Sequence, residues 1–291
     1  MLNNRFCDII VFEVKKRKRE IKVERKKVAF LTLGCKTNQY ETNGMMQKFK
    51  EAGYKICNLE DIPDIYIVNT CTVTNIADRK SRQSLRRIKD NKNTIIVAVG
   101  CYAQIAKEKL EQMPEIDIVL GNKEKKDIVE YIEQYLKKKN NKDNRIVAVA
   151  DISKQKDFDE YGCITYTEKA RTTIKIQDGC NNFCTYCAIP YARGRIRSRK
   201  KENILEEAET IAKQGIKEIV LTGIHIASYG KDFKEEYKLI DLLEDLNKVN
   251  GIERIRLGSL EPTIITDEFI QRLSKLEKIC NHFHLSLQSR M

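Results

Sequence analysis

"DIYIVNTCTVTNIADRKSRQSLRRIKDNKNTIIVAVGC", residues 64–101, holds one full unit of the fold. Two runs rich in Ile and Val flank the long polar segment "IADRKSRQSLRRIKD", a pattern that predicts strand, helix and strand. Two such strands joined by a helix imply a right-handed crossover and a parallel sheet covered on both faces. Each run also stops at a cysteine, Cys71 and Cys101.

The pattern extends in both directions. Upstream, "KVAFLTLGC" predicts a strand that stops at Cys35, and "ETNGMMQKFKEAGY" a helix closed by Gly53. Downstream come a helix in "QIAKEKLEQM", a strand in "IDIVLGN" and a helix in "KKDIVEYIEQYLKKK". Residues 27–137 are therefore expected to form an open α/β domain. In an open parallel sheet the binding edge lies at the carboxyl ends of the strands. Cys35, Cys71 and Cys101 would then face one crevice, although 36 and 30 residues separate them in sequence. A cysteine at a strand end is often only a small apolar filler. Three in register argue against that reading.

Residues 138–166 lose the rhythm, apart from the strand-like "RIVAVA", and are expected to be a linker region. The alternation restarts over 167–291 with "ARTTIKIQDGC", "KENILEEAETIAKQG", "KEIVLTG", "LIDLLEDLNKV", "ERIRLGS", "TDEFIQRLSKL" and "HFHLSLQS". About four βα units result, too few to close a barrel. The fold expected is an open parallel α/β domain followed by an incomplete (βα) barrel, with residues 1–26 as a basic N-terminal extension.

A chain of 291 residues with ten cysteines suggests disulfides only in an oxidising compartment. The start has its apolar run ahead of its basic cluster, the reverse of a secretory signal, and no stretch reaches the roughly 18 apolar residues of a membrane span. The expectation is a cytoplasmic, membrane-free protein whose clustered thiols serve metal or catalysis. The net charge of +12 sits almost wholly in residues 1–27 and 171–201. The first segment reads as a solvated tail. The second abuts a cysteine triplet, and clustered arginines suit a polyanion.

That triplet, Cys180, Cys184 and Cys187, has the spacing C-x3-C-x2-C. A zinc site wants a fourth ligand, which no second C-x2-C pair or nearby histidine supplies, and His225, His282 and His284 read as packed or hydrogen-bonded. Thioredoxin-like chemistry needs no third cysteine. Three thiolates suit a four-iron cluster whose fourth iron stays open. A molecule with amino and carboxylate groups, such as S-adenosylmethionine, can chelate that iron and be cleaved reductively. Tyr186 would lie near its adenine, or simply pack the loop. Cys7, Cys57, Cys163 and Cys280 read as ordinary residues.

"GCNNFCTYC" resembles the cluster loop of radical S-adenosylmethionine enzymes. "DGCNNFCTYCAIPYARGRIRSR", "VLTGIHIASYG", "RLGSLEP" and "HLSLQS" together resemble the tRNA methylthiotransferases, over about residues 26–289. "GCKTNQYET" is similar to the branch acting on N6-threonylcarbamoyladenosine rather than on isopentenyladenosine or ribosomal protein S12. The resemblance implies two 4Fe–4S clusters: Cys180, Cys184 and Cys187 would hold the one that engages S-adenosylmethionine, and Cys35, Cys71 and Cys101 the auxiliary one. It implies insertion of a methylthio group at C2 of the adenine 3′ of the anticodon, with tRNA and a low-potential electron donor as partners. The sequence leaves the oligomeric state open, with a monomer as the expectation. Gly223 would admit the methionine part of the cofactor. Arg193, Arg195, Arg197 and Arg199 alternate, and in an extended segment would present one side to RNA phosphates or a carboxylate. Family members continue with further barrel units and a C-terminal β-domain, so a C-terminally truncated chain is expected, with action on N6-isopentenyladenosine in tRNA or a non-catalytic cluster- or RNA-binding fragment as the other readings.

Overall fold

The computed structural model describes residues 26–87, 93–138, 144–164 and 170–287. Nearly all of the basic N-terminal extension, together with Cys7, lies outside the described residues.

The first body is a six-stranded sheet: β1 (Lys27–Thr32), β2 (Lys55–Ile56), β3 (Ile65–Thr70), β4 (Ile95–Gly100), β5 (Ile118–Leu120) and β6 (Ile146–Ala148). Their order is β2-β1-β3-β4-β5-β6, parallel throughout. β3 and β4 are buried along their whole length, as continuous apolar strands covered on both faces must be. One face packs on α1 (Lys36–Glu51) and α5 (Ile128–Lys138) through Val28, Ile65, Ile67, Val97 and Val99. The alternate residues Ala29, Tyr66, Val68, Ile96 and Ala98 meet α2 (Asn75–Leu85), α3 (Cys101–Ile105) and α4 (Lys107–Glu111) on the other. The helices change face between β1 and β3. That is the switch point where such a sheet opens a crevice at its carboxyl edge, and Cys35 and Cys71 follow these two strands.

Two sequence expectations need correction. "QIAKEKLEQM" is not one helix: α3 starts at Cys101, and Ala106 (φ −117°, ψ 37°) leaves helical geometry before α4. The stretch read as a linker is not a free connection either. Its "RIVAVA" run supplies β6, which covers the open edge of β5, and Tyr161 and Ile164 are buried in the first core.

The second body contains the parallel strands β7 (Arg171–Lys175), β10 (Glu218–Thr222) and β11 (Arg254–Leu257), in the order β11-β10-β7. The helices α7 (Lys201–Lys213), α8 (Leu239–Asn247) and α9 (Asp267–Leu273) alternate with them, and an apolar core including Ile219, Leu221, Leu242, Leu243 and Ile255 lies between. β12 (Ser259–Leu260) pairs in parallel with β13 (His284–Leu285). No closed barrel forms among the described residues, as the count of βα units implied. Between β7 and α7, the short strands β8 (Gln177–Asp178) and β9 (Arg197–Ser198) pair antiparallel and pinch off a loop that carries α6 (Ile189–Arg193). Among the described residues no helix is long and apolar enough to cross a membrane.

Gly44 provides a test of how firmly the 152–164 segment is docked. It lies inside α1, where replacing glycine by alanine ordinarily gains about 1 kcal/mol. Here an added Cβ would sit 2.6 Å from Cδ1 of Tyr161. Gly44→Ala is expected to lower stability by about 1–3 kcal/mol in urea unfolding. Tyr161→Ala in the same chain should remove most of the clash, seen as a non-additive double-mutant cycle.

Candidate metal centres

The first cysteine trio lies at the sheet's carboxyl edge. Cys71 directly follows β3, Cys101 opens α3, and Cys35 caps the start of α1, two residues further beyond its strand than the sequence implied. The chain reaches Cys35 through Gly34 in a left-handed conformation (φ 94°), and a Cβ there would lie 2.7 Å from Cys71 Sγ. Only glycine meets both demands. Ser81 fixes Cys71 by accepting from its N–H (3.3 Å) and donating to its carbonyl (3.0 Å). Thr70 donates to Val99 O and accepts from Ala103 N, which ties the ends of β3 and β4 to α3. Burial pushes the Cys71 thiol up, and the nearby Cys101 and Cys35 push it further. The three sulfurs therefore share one electrostatic neighbourhood. Cys71 and Cys101 are buried and Cys35 is exposed, so the trio has one open side.

Cys101 Sγ accepts hydrogen bonds from Arg193 Nε at 3.3 Å and from Asn122 Nδ2 at 3.7 Å. Donors aimed at a sulfur suit an anionic, metal-bound thiolate.

The second trio occupies the pinched loop ahead of α6. Cys180 N donates to Gly194 O, Asn182 N to Cys180 Sγ (3.5 Å), and Cys187 N to Cys184 O (2.9 Å). The Cys180 thiol is raised by burial, then by Cys187, Cys184 and Glu261. Phe183, between the first two cysteines, has φ 46°, rare for a bulky side chain. The Arg195 guanidinium covers its ring at 4.3 Å, and Tyr191 meets it edge-on. Among the described residues no three His, Cys, Asp or Glu side chains are arranged to hold a metal ion. A cluster asks for a wider set, because each cysteine sits on a different iron. The donor types fit: three soft sulfurs per site, with N–H groups directed at Cys101 and Cys180.

The arginines correct the sequence reading. Arg193, Arg197 and Arg199 do not face outward; each is at most 1% exposed. The run is no extended strand, because α6 ends at Arg193 and β9 covers only Arg197–Ser198. Arg193 bonds Glu41 and Asn38 of α1 and Asp178. Arg197 Nη2 lies 3.5 Å from Asp178. Arg199 pairs with Glu207 and Glu160 and donates to Tyr40 Oη. Arg195 alone is exposed, folded over Phe183.

Glu41 is the hub. It also takes Lys125 Nζ (2.5 Å) and Lys175 Nζ (2.7 Å), and Lys175 reaches Asp178 at 2.6 Å. Burial alone would raise the Glu41 carboxyl, but Arg193, Lys125 and Lys175 outweigh it and hold it well below the usual carboxylate range. Asp178 is lowered in the same way, with Lys175, Arg193 and Arg197 overcoming burial. Lys175, with two carboxylates, is raised against its burial; Lys125, with Glu41 on one side and Arg193 on the other, is lowered by burial. The sequence reading missed this hub. Its one local signal was Lys175, a charge between Ile174 and Ile176 in a buried strand, which needs a partner.

The other named residues are placed as follows. Tyr186 is 76% exposed on the cysteine loop. At Gly223 a Cβ would lie 2.9 Å from Gln177 O, so its lack of a side chain serves the contact between β8 and the turn after β10. His225 Nε2 meets Glu261 at 2.6 Å, and His284 Nδ1 meets Ser259 Oγ at 2.8 Å, the hydrogen-bonded roles expected of them.

Two family models match the chain, the Uncharacterized protein family UPF0004 over residues 27–121 and the Radical SAM superfamily over 174–290. The threonylcarbamoyladenosine tRNA methylthiotransferase MtaB of Bacillus subtilis is 45% identical over 90% of this chain and 57% of its own length. Its namesake in Aquifex aeolicus is 43% identical over 90% and 63%. The chain thus spans about three fifths of these relatives. Relatives named for dimethylallyladenosine in tRNA and for ribosomal protein uS12 are 33% and 36% identical. Among solved structures, the radical S-adenosylmethionine methyltransferase TsrM of Kitasatospora setae shares the fold, with a TM-score of 0.62 at 14% identity over 90% of this chain and 61% of that one.

Glu41→Gln is expected to destabilise the chain by about 3–5 kcal/mol at neutral pH, because buried Lys125 loses its carboxylate while Lys175 and Arg193 are left with Asp178 alone. The folded carboxyl titrates below its ordinary value of 4.5. Its contribution is therefore complete above that pH and lost as pH falls toward the folded value. Guanidinium unfolding at neutral and acid pH should show the gap between wild type and variant narrowing below pH 4.5.

Proposed function

We infer that this chain, which belongs to the radical S-adenosylmethionine methylthiotransferases, inserts a methylthio group at C2 of N6-threonylcarbamoyladenosine in tRNA. The observation that carries the reading is Arg193. It stands six residues after Cys187 in the same loop, and its Nε–H reaches Cys101 Sγ in the other body. One buried contact thus joins the first trio to the segment that follows the second. The higher identity to the two MtaB proteins than to the dimethylallyladenosine and uS12 branches supports the choice of substrate.

Cys35, Cys71 and Cys101 would hold one 4Fe–4S cluster. Cys180, Cys184 and Cys187 would hold a second, with one iron left for S-adenosylmethionine. When bound, these groups supply the one-electron chemistry that replacing an aromatic hydrogen by sulfur requires, which acid–base side chains cannot. The chain's own residues orient the parts. Arg193 and Asn122 hold Cys101, Ser81 and Gly34 set Cys71 beside Cys35, and the β8–β9 pairing fixes the base of the loop. Gln177 accepts from His225 N and so links that base to the Gly223 turn, where the cofactor's methionine end would lie. The exposed Tyr186 is suited to stack on its adenine. A low-potential electron donor and tRNA are the partners required, in the cytoplasm.

Anaerobic reconstitution is expected to give about eight irons per chain, and Cys180→Ala or Cys101→Ala about four each. A wild-type value of about four, or a Cys180→Ala variant that keeps all its iron, overturns the two-cluster reading. In a strain lacking the gene, nucleoside mass spectrometry should show N6-threonylcarbamoyladenosine without its 2-methylthio derivative. An unchanged level of that derivative refutes the substrate assignment.

A further inference from the structure

With three of the four loop arginines consumed internally, the chain needs another cationic face if it is to hold RNA near the cysteines. α2 and the turn after it supply one. Residues 75–87 contain Arg79, Lys80, Arg82, Arg86 and Arg87 against a single acid, Asp78. The net charge of the first body conceals this excess, because acids elsewhere in it cancel part of it.

The helix is anchored on its inner side by Ser81 and Leu85, both fully buried, and Ser81 is the residue that grips Cys71 through two hydrogen bonds. The outer side is therefore fixed in place relative to the first cysteine trio. Arg79, Arg82 and Arg86 recur at helical spacing and line one stripe. Arg82 donates to Tyr102 Oη at 2.7 Å, beside Cys101. Arg86 makes only a loose surface pair with Glu115 at 3.8 Å, which contributes little. Arg79, Lys80 and Arg87 are exposed and have no carboxylate partner among the described residues. The interval from Arg79 to Arg86 is about 10 Å along the axis, or roughly three base steps at 3.4 Å along a strand. At the end nearest Cys71, Val73 and Ile76 are 59% and 68% exposed, which gives an apolar contact for an unstacked base next to the cationic stripe.

We propose that this outer face of α2 is an RNA-docking surface, on which Arg79, Lys80 and Arg86 neutralise backbone phosphates while Val73 and Ile76 face a base close to the trio. Phosphate contacts of this kind position a strand without reading its sequence. The proposal rests on the tRNA reading above. RNA is favoured over an acidic protein because Arg79 and Arg86 stand on one line about 10 Å apart, with Lys80 beside it and apolar groups at its end.

The test measures binding of a fluorescein-labelled RNA hairpin to the full chain by anisotropy across a salt series. The combined variant Arg79→Gln, Lys80→Gln, Arg86→Gln is expected to reduce the log–log salt slope by about 2–3 and to weaken binding about 10–100-fold at moderate salt. The two arginines changed instead to lysine should keep the slope. Lys213→Gln, Lys217→Gln, Lys248→Gln, on the exposed far side of the second body, should change nothing. If the wild type binds with a steep salt slope and the α2 variant matches it, the surface is wrong and the tRNA reading stands. If the wild type binds no RNA, the tRNA reading fails and this surface with it. If a polyglutamate peptide competes as well as RNA and shows the same dependence on α2, the face serves an acidic protein and the proposal is overturned.

Discussion

A carboxylate almost shut off from water holds the two bodies in register. Glu41 extends from α1 and receives Lys125 from its own body and Lys175 and Arg193 from the other. Removing ions from water costs several kcal/mol each, and their attraction recovers this only where the geometry is fully satisfied. Apolar side chains of similar volume could fill the space as stably. They would tolerate sliding, whereas a carboxylate shared among three cations from three segments permits one arrangement. A second buried group on the same helix repeats the device, with Tyr40 donating to Glu207, the carboxylate that also binds Arg199.

The position of the cysteines follows from that constraint. α1 is capped by Cys35 and carries Asn38, Tyr40 and Glu41 in its first two turns, so the segment that docks the second body also sets the exposed cysteine of the first trio. On the other side, Arg193 ends the short helix after Cys187 and is held by the same carboxylate. A shift at the Glu41 hub would move both trios together. Chemistry that needs a fixed distance between two centres is better served by such shared support than by two sites on independent loops.

The fold was legible wherever hydrophobic period and chain order decided it. β3, β4 and β10 are apolar runs closed by turn chemistry, and their parallel order follows from the helices between them. The positions of Cys71 and Cys101 were legible for the same reason, because the end of a strand can be located from its pattern, whereas Cys35 falls two residues further on. What failed was inference from local charge. "ARGRIRSR" reads as a face offered to a polyanion, since sequence shows the cations and conceals the carboxylates that meet them. Glu41 lies 152 residues from Arg193. No window along the chain contains both. "RIVAVA" was legible as a strand, but an isolated short run shows no partner in sequence, and the edge of β5 supplies it.

Arg193 ties the interface to the first cysteine trio. Lys125, Lys175, Arg193 and Arg197 face Glu41, Asp178 and Asp159 in one buried region. Charges shut away from water are tolerated only where they are paired and hydrogen-bonded, and here each cation has a carboxylate. That region lies beside Cys101, whose sulfur accepts from Arg193 Nε. The interface and the first cysteine trio are in this sense one unit, because the arginine that secures the docking of the two bodies on Glu41 also donates to the Cys101 sulfur.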